Sequence, residues 1–81
     1  MKHAAKATLD ALEDVLAQVR KREGLVERSR GVFYRRTVAF LHFHEDPAGL
    51  FADLKTSSGW RRMRVSTAAE RKAFLAAVKR A

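Results

Sequence analysis

The chain contains no cysteine, which removes a disulfide framework and any thiolate metal site. Its single proline, Pro47, and four glycines are too few for a low-complexity segment. No apolar run approaches the roughly 20 residues that a membrane-spanning helix needs. Met1 to Lys6 leads into a helical pattern interrupted by Asp10, Glu13 and Asp14, which does not read as a secretory signal. There is no glycine-rich phosphate loop and no dinucleotide fingerprint, and Ser57, Ser58 and Gly59 lack the strand-to-helix setting of a nucleophile elbow. Acidic residues are scarce too. Nine Asp and Glu against seventeen Lys and Arg leave a formal charge of +8, which excludes an acidic solubilising module and makes polyanions suitable partners. The expectation is one domain spanning residues 1–81, in a reducing cytoplasm, with no membrane segment, no resident cofactor and no enzymatic activity of its own.

What is present suffices for one core. The 47% of apolar residues argue against disorder, and a chain this short buries roughly 60% of its unfolded surface. Residues 4–22 read as an amphipathic helix, because Leu9, Leu12, Leu16 and Val19 recur at spacings of three and four, with Ala5 and Val15 widening the stripe. Gly24 ends it, and Leu25 to Arg30 read as a polar connection anchored by Val26. From Val32 to Val65, β-branched and aromatic residues replace the helical period. Strands are predicted at Val32–Tyr34, Val38–His44, Leu50–Lys55 and Trp60–Val65, with turns at Glu45–Gly49 and Thr56–Gly59. Thr67-Ala68-Ala69-Glu70 is a capping box that opens a last helix with Phe74, Leu75 and Val78 on its buried stripe. The expected fold is therefore α+β: a four-stranded antiparallel meander flanked by N- and C-terminal helices on one face, in the order α-β-β-β-β-α.

Alternation divides the sheet into two faces. Ala39, Leu41, Phe43, Leu50, Ala52, Leu54, Met63 and Val65 make an apolar layer for the helices. The other face then shows Val38, Phe40, His42, His44, Phe51, Asp53, Lys55, Trp60, Arg62 and Arg64. That face is aromatic and basic, so it suits either a second copy of the chain, giving a homodimer, or single-stranded nucleic acid stacked on Phe40, Phe51 and Trp60. The excess charge lies in two stretches: residues 28–44 carry four Arg and no acid, and residues 55–81 sum to +7. Arg35, Arg36, Arg62, Arg64, Arg71 and Lys72 are the expected phosphate or interface contacts. Eleven of the seventeen cations are Arg, whose planar fork suits phosphate.

A second chemistry rests on His42 and His44. Two apart on a strand, their imidazoles project from one face, and Asp46 or Asp53 offers an oxygen, so the set is an alternative metal site. His3 is the one further histidine. Surface or interface histidines, without a metal-induced shift in stability, are the competing expectation.

The pieces Leu41-His42-Phe43-His44, Ala52-Asp53-Leu54 and Ser58-Gly59-Trp60, ahead of Arg64-Val65 and a closing helix, resemble the bacterial luciferase-domain proteins over residues 38–78. That likeness implies neither bioluminescence nor a flavin. The helix, meander, helix order is also similar to small bacterial YjbR-type proteins, which implies DNA binding on a CyaY-like fold by fold analogy alone. A double-stranded RNA-binding domain shares part of the order, but its lysine-rich last helix is matched only by Arg71 and Lys72.

Overall fold

A computed structural model describes residues 2–81. The chain forms β1 (Lys2–His3), α1 (Lys6–Ala11), α2 (Glu13–Arg20), β2 (Leu25–Ser29), β3 (Val32–Arg35), β4 (Val38–Asp46), β5 (Gly49–Thr56), β6 (Gly59–Arg64) and α3 (Ala68–Arg80). Strands β2 to β6 lie in sequential antiparallel order, and β1 pairs with β4 apart from that path. The α+β class and the antiparallel sheet agree with the sequence reading, whereas the count of four strands does not.

The first helix is interrupted at Leu12, which has φ −99° and ψ 9°. The hydrogen-bond ladder resumes from Leu16 N–H to Leu12 C=O, so the apolar stripe survives the break. Leu9, Leu12, Val15, Leu16 and Val19 meet Phe74, Ala77 and Val78 of α3 and the inward residues Phe33, Leu41, Phe43, Ala52, Leu54 and Val65 in one core. All three helices thus cover the same face of the sheet. The capping box at Thr67 and Glu70 forms as expected.

Leu25 to Ser29 is an edge strand and not a polar connection. Its polar residues hid it, because an edge strand has only one neighbour to satisfy. Glu27 uses its carboxylate to accept from Arg20 and from the Gly31 N–H, while Arg30 bridges Asp10 and Glu13 back to the helices. Gly31 closes the hairpin with φ +81°, and a Cβ there would stand 2.6 Å from Leu9 Cδ2. Gly31→Ala is expected to lower stability by about 1–3 kcal/mol, through left-handed strain and the clash together. Gly24, with φ +85° and open space around it, separates the two causes: Gly24→Ala should be the milder change in urea midpoints.

One irregularity reverses part of the predicted face assignment. Tyr34 pairs with Ala39 while Phe33 pairs with Leu41, so Phe40 is an extra residue bulged into β4. The bulge turns Phe40 into the core, where it is 4% exposed, and moves Ala39 to the opposite side with Tyr34. Phe40 is therefore no stacking platform. The guanidinium of Arg35 lies over its ring at 4.3 Å.

Candidate metal centre

Phe43 points into the core, so its neighbours His42 and His44 face outward, as alternation requires. The β4–β5 register sets His42 beside Asp53 and His44 beside Phe51. Beyond Val32, which pairs with His42, the edge of β4 is vacated by β3 and taken by β1. There His3 pairs with His44 and Lys2 with Glu45. Glu45 fastens this arm, accepting from the Ala5 N–H and the Thr8 hydroxyl and lying near the Lys2 ammonium.

Three imidazoles are thereby brought together on the outer face. The ring centroids are 4.5 Å apart for His42 and His44, 5.9 Å for His3 and His44, and 6.2 Å for His3 and His42. One nitrogen from each lies within 4.8 Å of the others. His3 is exposed and the other two are partly buried.

The surroundings of His44 are specific. Its Nε2 is 2.9 Å from Asp53 Oδ2, and its Nδ1 is buried with no hydrogen-bond partner among the described residues. Asp53 is 8% exposed and also receives two hydrogen bonds from Arg62, at 2.8 and 2.9 Å. Those bonds hold the Asp53 carboxyl below the usual carboxylate range, against the opposing effect of burial. Burial first, and the neighbouring His44 second, depress the pKa of His42, which favours the neutral, ligating imidazole at neutral pH. Trp60, half exposed at 49%, sets its ring across His42 at a centroid distance of 5.2 Å.

No family model, curated protein or solved structure matches this chain.

The structure redistributes the other predicted site residues. Asp46 is not part of the cluster, since it caps its own turn by accepting from the Ala48 N–H, and Asp53 is the carboxylate that reaches a histidine. Phe51 is half-buried beside His44. Arg62 is committed to Asp53, and Arg64 to Ser66, with Glu70 nearby. Arg71 donates to the Val65 carbonyl, and Lys72 lines the groove between α2 and α3. Arg71 and Lys72 thus belong to the helix layer and do not extend the sheet face that carries Trp60. Arg35 and Arg36 lie at the β3–β4 turn, at the far end of β4 from His3. His3 is the site residue that reading along the chain could not place. Its only sequence signal was being the one histidine outside the His42 and His44 pair.

Proposed function

We propose that this protein binds a borderline d-block metal ion, of the zinc, nickel or copper type, through His3, His42 and His44. The observation that carries this reading is the buried Nδ1 of His44, unpartnered among the described residues and beside two further imidazoles. Burying a polar nitrogen without a hydrogen bond is costly, and a metal is the partner that this neighbourhood of nitrogens suits. Asp53 orients His44 from behind. A carboxylate on the far nitrogen of a ligating histidine is the usual outer-shell support, because it fixes the tautomer and makes the ligand more basic.

Nitrogen-only donors suit zinc, nickel and copper over magnesium or calcium, which prefer oxygen. Metal–nitrogen bonds of about 2.0–2.1 Å in a tetrahedron place the nitrogens roughly 3.4 Å apart. The exposed ring of His3 supplies the movement that closes the set. Three protein ligands leave at least one coordination position open to solvent, so the site is suited to reversible binding or to an exogenous ligand.

Titration of the chain with one equivalent of zinc or nickel at pH 7.5 tests the proposal by calorimetry and thermal unfolding. Saturable one-to-one binding and a raised midpoint are expected, since a ligand that prefers the folded state stabilises it. His42→Ala combined with His44→Ala should abolish both. Copper or nickel should also quench Trp60 fluorescence, given the contact of that ring with His42. Affinity should fall between pH 7.5 and 5.5, because protons compete for imidazole. An unchanged midpoint with no heat of binding would refute the reading.

A further inference from the structure

The end of the sheet away from His3 carries a cleft that the histidine cluster does not use. There the β3–β4 and β5–β6 turns meet the end of α3, around a cleft of about 470 Å³ lined chiefly by Arg35, Arg36, Val38, Phe40, Lys55 and Ser57. That volume is within the range of small-ligand sites. A second cleft carrying Arg61 and Arg80 shares Thr56, Ser57 and Ala81 with it. Among the described residues no Asp or Glu lines either one.

Three separate features point to an anion with an apolar body. Val38 is one of the few large apolar side chains left exposed, at 48%, and it continues the apolar floor begun by Phe40. Arg35, stacked on Phe40 and donating to the Ala81 carbonyl at 3.3 Å, is fixed as a planar wall of the kind on which flat groups stack. Arg36 and Lys55 take part in no ion pair among the described residues, and Arg36 is the one non-glycine residue there with a positive φ, at 59°. Glycine or asparagine is the ordinary occupant of such a turn position. Strain retained at a charged, unpaired side chain is the kind of local misfit that accompanies ligand sites.

We propose that this cleft binds a nucleoside phosphate, with the base against Val38 and the Arg35 plane and the phosphate between Arg36 and Lys55. The hydroxyls of Thr37 and Ser57, which also line the cleft, are available to the phosphate oxygens. A dianionic phosphate matches two unpaired cations in charge, and a guanidinium presents its donors in a fork that fits it.

The test is a titration of the isotopically labelled full chain with AMP, followed by amide shifts, with adenosine, inorganic phosphate and a single-stranded 12-mer in parallel. AMP should shift Thr37, Val38, Lys55 and Ser57 saturably, and adenosine and phosphate should each bind more weakly by about tenfold, as expected when one half of the contacts is absent. Arg36→Gly is the decisive variant. Glycine accepts φ near 59° without strain, so the turn persists and only the guanidinium is lost. AMP affinity should then fall about tenfold, as for one charge-assisted contact removed, with the thermal midpoint unchanged or raised. Lys55→Gln should weaken AMP in the same way. The proposal is overturned if AMP does not saturate these amides, if adenosine binds as well as AMP, or if Arg36→Gly keeps full affinity. Tighter binding of the 12-mer than of AMP, with shifts spread to Arg61 and Arg71, would overturn it in favour of a diffuse polyanion footprint.

Discussion

Phe43→Ala should destabilise the protein by about 3–5 kcal/mol, the loss typical of a buried aromatic truncated in a core. Phe43 is fully buried and packs edge-to-face on Phe74 of α3 at a centroid distance of 5.8 Å. It therefore joins the central strand to the last helix. Phe74 is held on a helix with a capping box at its start, which limits how far it can move into the space left behind. Urea midpoints with an unchanged slope would measure the loss. Arg61→Ala is the control on the same sheet: its side chain is exposed and makes no ion pair among the described residues, so the change should stay within about 0.5 kcal/mol. Arg62→Ala cannot serve in that place, because its guanidinium covers Asp53. Equal losses in Phe43→Ala and Arg61→Ala would contradict the assignment of the core.

The second large effect is expected at Asp53, through the metal reading. Asp53→Ala removes the acceptor behind His44 Nε2, so His44 loses both its orientation and its tautomer. Loss of such an outer-shell partner typically lowers metal affinity 10–100-fold. Asp53→Asn keeps an acceptor oxygen for the His44 ring nitrogen and should recover part of that loss, whereas a merely structural role would leave zinc affinity alike in both variants once each is folded. Without metal, Asp53→Ala should cost about 1–3 kcal/mol from the hydrogen bonds it breaks. The lower part of that range is expected, because the Arg62 side chain is 51% exposed and water can replace the lost carboxylate. Calorimetric zinc titrations of Asp53→Ala, Asp53→Asn and the unaltered chain decide the matter.

Much of the fold was legible along the chain because the signals concerned are local. Spacing of Leu9, Leu12, Leu16 and Val19 marks a helical stripe wherever the helix ends up. The capping box at Thr67 and Glu70 closes within four residues, and the turns around Pro47 and Gly59 depend on dihedral preferences of the residues that occupy them. The edge strand at Leu25 to Ser29 escaped because strand formation there depends on β3 beside it and on Arg20 and Gly31 meeting Glu27. Phe40 was misplaced for a related reason. A single bulged residue reverses every side chain before it, and alternation in one strand carries no record of its partner's register.

The candidate site divides in the same way. Strand geometry alone put His42 and His44 on one face, two residues apart, and placed Asp53 among the outward residues. The sequence by itself thus determined the α+β class, the inward layer around Leu41 and Phe43, and the pairing of two histidines. Tertiary structure decided that His3 joins them, that Asp53 and not Asp46 supports them, and that Arg36 and Lys55 share a cleft with Val38. The physical reason is chain separation. His3 reaches His44 only because β3 pairs with β4 no further than Val32 and leaves the rest of that edge to β1, and Arg36 and Lys55 line one cleft only because antiparallel pairing carries the two turns to one end of the sheet. Side-chain alternation and capping act over a few residues, whereas these encounters depend on backbone hydrogen bonds between strands far apart in the chain.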